Sequence, residues 1–228
     1  ALFHVKGQKS GVVGDLGNHI AVFESSATAK ANILGLYASK ISTTLSDDIN
    51  FVTFLSSTRE LGAIEGNNNP NTPGVRFKTR GADYAEYLEK INKKEVIIPG
   101  EIVGVVNGKI SKNTNDAQQF LVMSTAAAIA GNWPGKNKDG YGLVSFFGQV
   151  HVKVRGPVKA GDYIVPSGLG DGVGVALDVS QLTLADKYKI VGRAWESSSV
   201  NSVKSVLLAV GFEFSLAEYI GVPIYVAF

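Results

Sequence analysis

Acidic and aromatic side chains are concentrated in one nonapeptide, residues 81–89, which reads GADYAEYLE. Two of its carboxylates, Asp83 and Glu86, are three residues apart. Two carboxylates in unequal environments can hold one proton between them, so this pair could supply acid and base at a peptide bond. The alternative, which the residue types by themselves favour, is that both carboxylates are hydrogen-bonded polar groups closing a turn or a subunit contact.

The nonapeptide can be read as a strand or as a helix. In a strand, residues 82, 84, 86 and 88 share one face, and each face mixes an acid with an aromatic ring. In a helix, Tyr84, Tyr87 and Leu88 form an apolar stripe instead. The strand is favoured, because residues 75–79 (VRFKT) alternate apolar with polar and Gly81 interrupts a helical entry.

Composition and charge argue against several other kinds of site. The 22 basic and 20 acidic residues are scattered along the 228-residue chain, so no basic block offers a surface for nucleic acid. Cysteine is absent, which excludes disulfides and thiolate chemistry, and the three histidines have no metal-ligand spacing. Residues 168–174 (GLGDGVG) lack the lysine and hydroxyl of a P-loop and predict a glycine turn. We therefore expect no cofactor and no metal.

The sequence predicts an all-β protein with two domains, residues 1–73 and 74–228. Residues 67–74 (NNNPNTPG) mark the boundary, since two prolines and four asparagines favour turns over a sheet. The first domain is read as a stem-like β-sandwich or a stack of β-segments, thin in large apolar residues. Its candidate strands are residues 2–6, 19–24, 32–37, 50–55, 61–65 and 74–78.

The second domain is predicted to be a β-roll or barrel because a turn signature occurs twice, at residues 96–103 and 157–165. In both copies a glycine supplies an unusual dihedral, and the acid after it can accept backbone hydrogen bonds as a strand begins. Further candidate strands are residues 120–124, 143–147, 149–154, 188–195, 203–210 and 211–216. Residues 220–228 are almost wholly apolar and must be buried, with three alternatives: their own domain, a neighbouring subunit or an added-strand contact.

The phrase GADYAE at residues 81–86 also carries a resemblance to a known family. It is preceded by a glycine-led strand at residues 74–79 and followed by IPGEIV at 98–103, NGKIS at 107–111 and GPVKAGD at 156–162. From about Val75 to about Ala176 the chain resembles the G2-type autocleaving intramolecular chaperone domain. That domain ends some bacteriophage tail spikes and fibres and related bacterial fibre-like proteins.

The resemblance implies a cleavage site just ahead of GADYAE, where the family uses a serine and nearby acids. This chain has Thr79 at the corresponding position, which departs from that pattern, since the threonine methyl group narrows the approach of the hydroxyl. If cleavage occurs, the hypothesis is attack by the Thr79 hydroxyl on the carbonyl of Lys78, aided by Asp83 and Glu86. Because 78 residues precede that bond in one continuous chain, assembly ranks ahead of proteolysis.

Together these readings predict a structural subunit of a fibre or tail-spike-like assembly. Its C-terminal domain would register the chains and drive formation of a homotrimer or a polymer, because the strands hold too little interior to stand alone. The two alternatives are a single-turnover self-cleaving peptidase and a cell-surface or extracellular filament subunit. No nucleic acid partner and no membrane span are expected, any receptor or glycan is unknown, and the location is extracellular or the virion surface.

Overall fold

The computed structural model describes Leu36, residues 50–135 and residues 138–211. The chain divides into two compact units, Ala1–Lys78 and Thr79–Phe228. This division falls five residues after the sequence-based boundary at 73/74. The difference arises because the strand Val75–Lys78 pairs with the strand before the asparagine-rich loop.

Three antiparallel strands make up the described part of the first unit. They are β1 (Asn50–Leu55), β2 (Glu60–Gly66) and β3 (Val75–Lys78), in the spatial order β1-β2-β3. The sequence predicted all three. The candidate strands at residues 2–6, 19–24 and 32–37 lie outside the described residues, apart from Leu36.

The sheet of the first unit has one apolar face, and much of that face is exposed. Val52, Ile64 and Phe77 stand opposite one another across the three strands. Phe77 is 76% exposed, and its neighbours Phe54 and Val75 are exposed as well. Within residues 50–78 the buried positions hold no large apolar side chain; they are Gly62, Ala63, Glu65 and Gly66.

Glu65 is the buried acid of this sheet and is held by two cations. Arg76 and Lys78 on β3 lie 2.8 Å and 3.3 Å from its carboxylate oxygens. An ion pair of this kind satisfies the buried charge but supplies little net stability. The described part of the first unit therefore lacks the packed apolar layer that makes a three-stranded sheet independently stable.

The second unit is built on one ten-stranded sheet, which confirms the all-β prediction. Its only described α-helix is the one-turn α1 (Leu184–Lys187), and none of the described helices is long and apolar enough to cross a membrane. Its strands are β4 (Asp83–Glu89), β5 (Ile102–Val106), β6 (Lys109–Ser111), β7 (Gln119–Met123), β8 (Ala127–Gly131), β9 (Tyr141–Arg155), β10 (Tyr163–Pro166), β11 (Gly174–Leu177), β12 (Gly192–Ala194) and β13 (Lys204–Val210).

Five of these strands close into a barrel, and the others extend the sheet beyond it. The order β11-β10-β12-β13-β9 is closed by parallel pairing of β11 with the end of β9. The predicted alternation along residues 149–154 is confirmed, since Val150, Val152 and Val154 are buried in the barrel. The inward side chains of β13, Val206 and Leu208, pack against them.

A second apolar core lies on the other side of strands β5 and β7. Ile102 and Val122 belong to the barrel core, whereas their neighbours Val103 and Leu121 belong to the second core. Alternate residues of a strand point to opposite faces, so these two strands are buried on both sides and separate the cores. This explains why residues 102–106 and 120–123 are apolar without alternation.

The twice-occurring turn signature forms the same local structure in both places, as predicted. Gly100 and Gly161 have φ of 82° and 99°. In the first copy Glu101 accepts a hydrogen bond from the backbone N–H of Ile98 at 2.9 Å. In the second copy, Asp162 accepts from Lys159 N–H at 2.7 Å.

Two strand predictions were wrong in extent. Residues 143–147 and 149–154 were read as separate strands, yet β9 runs unbroken through Gly148, which takes φ of 121°. Residues 188–195 were read as one strand, but only β12 is extended there. The residues ahead of it follow α1, whose start is fixed by a capping box between Thr183 and Asp186.

The glycine-rich stretch 168–174 forms a turn, and Asp171 holds it in place. Asp171 accepts hydrogen bonds from Arg155 (2.8 Å), Ser167 (2.7 Å) and the Val173 N–H (3.0 Å). Burial by itself would raise the pKa of Asp171, but the hydrogen bonds from Arg155, Ser167 and Val173 outweigh it and lower that pKa.

We expect Asp171→Asn to lower the free energy of unfolding by about 1–2 kcal/mol at neutral pH. A depressed pKa in the folded state means that the carboxylate contributes stability above its unfolded-state pKa near 3.8. That contribution is lost as the pH falls through the lower, folded-state pKa. Urea unfolding from pH 7 down to pH 2 should therefore show the two proteins converging in acid, and a constant difference would contradict this account.

Candidate functional site

The acidic nonapeptide forms β4, as the sequence predicted, and β4 lies between two strands. It pairs in parallel with β8 and antiparallel with β9. Gly81 leads into β4 at a point of very close backbone contact, where a Cβ would lie 2.3 Å from the carbonyl carbon of Ala127. Only glycine permits this approach, and it sets the position of the residues that follow.

Asp83, the first residue of β4, is buried and faces a serine. Its side chain is 2% exposed, and Oδ1 accepts a hydrogen bond of 3.1 Å from the Ser124 hydroxyl, also buried. Oδ2 has no hydrogen-bond partner among the described residues. A buried carboxylate with one unsatisfied oxygen is costly, so this site keeps unused capacity to accept a proton or a hydrogen bond.

Glu86, the second predicted carboxylate, has a different partner. Three positions along a strand reverse the face, so Glu86 and Asp83 point to opposite sides of β4. Glu86 accepts a short hydrogen bond from the Tyr84 hydroxyl. That hydrogen bond, with a smaller effect of desolvation, raises the pKa of Tyr84 above its ordinary value. The structure therefore pairs each acid with a hydroxyl and not with the other acid.

Thr79, the predicted nucleophile, lies on the exposed chain just ahead of Gly81. Its hydroxyl oxygen accepts a hydrogen bond of 3.1 Å from the Gly81 N–H, which orders the approach to β4. Lys78 and Arg80 on either side are exposed too. The backbone at this point is accessible, as a peptide bond that is to be cut must be.

The outward side of this sheet carries a row of apolar side chains that sequence reasoning missed. Ile129 on β8 and Phe147 on β9 both stand opposite Tyr84 in the strand register. Ile129 is 60% exposed, Phe147 is 59% exposed and Tyr84 is 37% exposed. Within the part of the chain that the structure describes, β8 pairs with β4 alone, so its far edge is open. We call Ile129, Tyr84 and Phe147, with the open edge of β8, the outer row.

Ser124 was also missed as a partner of Asp83. The sequence showed only that Ser124 lacks the surroundings of a hydrolase nucleophile, and the 41 residues between serine and acid gave no pairing signal. In residues 50–135 and 138–211, no group of three or more histidine, aspartate or glutamate side chains converges as a metal site would require.

Comparison with known proteins gives two partial similarities. No family model matches the sequence, and no curated protein matches it. The fold is similar to the pre-mature bacteriophage phi29 gene product 12, with 17% identity and a TM-score of 0.42, over 66% of this chain and 24% of that one. It is also similar to the C-terminal fragment of phi29 gene product 12, with 17% identity and a TM-score of 0.39, over 56% of this chain and 99% of the fragment. This chain spans about a quarter of the length of the pre-mature phage protein.

Proposed function

We propose that this protein is a structural subunit of a fibre or spike-like assembly, in which the second unit associates with further copies and sets their register. The outer row carries the proposal. Exposed apolar side chains beside an open strand edge are the features of an association surface, since the edge offers backbone hydrogen bonds and the side chains offer apolar area.

A second copy of this chain is the partner that the observations favour. The net charge is only +2, so copies do not repel one another strongly. The acid nearest the outer row, Glu86, is already hydrogen-bonded to Tyr84 and need not lose an ordered water shell. The exposed apolar face of the first unit, around Phe77, needs covering too, and self-association could cover both surfaces.

Registration by a terminal domain has a clear physical advantage in a fibre. Aligning several long chains is entropically difficult, and a compact domain that associates first raises the effective concentration of the remaining segments. The GADYAE phrase resembles a family that acts in this way, which also favours a location on a virion surface or outside the cell. Thr79, Asp83 and Glu86 would then serve structural roles at the start of the associating unit.

The test is the mass of the full chain in solution between nanomolar and high micromolar concentration, measured by light scattering and sedimentation. We expect a homotrimer or a larger polymer. An open-ended polymer whose mass grows with concentration would assign the chain to the filament alternative. A protein that stays folded at 24.1 kDa throughout would overturn the proposal.

Self-cleavage is the second candidate, and one observation favours it. The bond singled out from the sequence, Lys78–Thr79, is the bond at which the two compact units divide. In this reaction the Thr79 oxygen forms an ester with the Lys78 carbonyl carbon, the amide bond breaks, and its nitrogen takes the hydroxyl proton. Water then hydrolyses the ester and regenerates the hydroxyl. The unsatisfied oxygen of Asp83 could accept and return the proton.

We expect Thr79→Ala to leave a single uncut chain, whereas Thr79→Ser should keep the hydroxyl and still be cut. Asp83→Asn should slow cutting at least tenfold, in the usual range for loss of one acid–base group. Intact-protein mass spectrometry over several days would resolve fragments of 78 and 150 residues. Cutting that persists in Thr79→Ala would eliminate this nucleophile, and the absence of cutting in the unmodified chain would leave assembly alone.

A further inference from the structure

An open groove of about 510 Å³ lies where β9 leaves β7 to pair with β13. Its size falls within the range of pockets that bind ligands or chain segments. Val122 and Met123 pair with β9, but the other residues of β7, Gln119 to Leu121, pair among the described strands only with β5. One wall of the groove is therefore a free strand edge. The opposite wall includes Ile190 and Val210.

Ser145 provides an independent sign that the groove takes an occupant. Its side chain is 1% exposed and lines the groove, yet its hydroxyl has no hydrogen-bond partner among the described residues. Buried hydroxyl groups are nearly always hydrogen-bonded, because leaving one unpaired is costly. A peptide backbone lying along the edge of β7 would bring N–H and C=O groups to this position.

The chain itself supplies a segment that begins at the groove. Gly211, the residue after β13, lines it and has φ of 83°, which turns the chain away from the direction of β13. Residues 212–216 follow and read FEFSL. Phe212, Phe214 and Leu216 alternate with polar residues, the pattern of a strand that buries one face. A segment of five residues extends for roughly 16 Å at a rise of about 3.3 Å per residue.

We propose that residues 212–216 of the same chain dock in this groove as an added strand along Gln119 to Leu121 of β7. The apolar residues Phe212, Phe214 and Leu216 face the wall that includes Ile190, and the added backbone satisfies Ser145. Glu213 and Ser215 face outward. The occupant is the chain's own segment because Gly211 already lies in the groove, so docking requires no search for a second molecule.

Cysteine cross-linking tests this proposal directly, since the natural chain has no cysteine. The full-length double variant Gln119→Cys and Ser215→Cys is treated with a short bismaleimide. We expect an intramolecular link in most molecules, identified by mass spectrometry of the proteolysed monomer band. The control pairs Ser215→Cys with Ser199→Cys. Ser199 is exposed near the far end of β9, ten residues from Ser145 and so roughly 30 Å away.

The alternation gives a second, matched test. Adding Phe214→Ser to the cross-linking pair should reduce the yield at least fivefold, whereas adding Glu213→Ser should leave it within a factor of two. Links between two chains would show that the segment docks on a neighbour and would overturn own-chain docking. A yield no higher than that of the Ser199 control, or equal losses for both added substitutions, would overturn the proposal as well.

Discussion

A chain carrying both Ile129→Asp and Phe147→Asp is expected to lose self-association at micromolar concentration. Each substitution places a carboxylate in the outer row, where a partner copy would have to strip it of water without offering a counter-charge. Loss of an apolar contact together with a buried unpaired charge at the centre of an interface typically costs at least 2–3 kcal/mol. We therefore expect the dissociation constant to rise at least about a hundredfold.

The control carries the same two charges at exposed apolar positions outside the outer row. Val96→Asp and Leu169→Asp suit this purpose, because both side chains are 72% exposed. Sedimentation equilibrium would compare the two double variants, and far-ultraviolet circular dichroism would check that both are folded. The side chains replaced in either variant are largely exposed, so little loss of fold is expected. If the Ile129 and Phe147 variant assembles as tightly as its control, association uses another surface.

The two halves of the prediction, fold and site, differed in how far the sequence could reach. The turns at Gly100 and Gly161 were predictable because each is decided within a few residues by a glycine and an acid that follow one another. The alternation of Val150, Val152 and Val154 likewise reports one buried face of one strand. Both signals are local, and the structure preserves both.

What the sequence could not reveal depends on strands that are distant along the chain. The continuity of β9 through Gly148 was missed because glycine often ends a strand, and only the adjacent backbone of β4 explains its place inside one. The pair formed by Asp83 and Ser124 spans 41 residues. The outer row likewise exists only after the register of β4 with its two neighbours is known.

Asp83 and Glu86 show how this limit affected the candidate site. Their spacing suggested a carboxylate pair, and strand geometry then places them on opposite faces. Each instead meets a hydroxyl, Ser124 on the buried side and Tyr84 on the outward side. A reading by spacing finds residues that could do chemistry, whereas the sheet decides which of them face one another.

Gly148→Ala is expected to destabilise the second unit more than any other single-methyl change considered for it. Gly148 has φ of 121°, which strains any other residue, and a Cβ there would lie 2.4 Å from the oxygen of Ala82 and 2.8 Å from the Cα of Asp83. Both atoms belong to backbone and cannot rotate away. β9 and β4 must separate, which weakens the hydrogen bond from Gln149 N–H to the Ala82 oxygen, now 3.2 Å long.

Backbone strain of about 1–3 kcal/mol and overpacking of about 1–3 kcal/mol act together at Gly148, so we expect a loss of about 3–4 kcal/mol. Gly108→Ala is the matched control: its φ is 75°, but a Cβ there meets nothing within 4 Å. That change should cost only the strain of a left-handed residue, about 1–2 kcal/mol. Urea unfolding of both variants measures the difference. Equal losses would mean that β4 and β9 do not cross closely at Gly148, and the buried position of Asp83 beside that crossing would then need another cause.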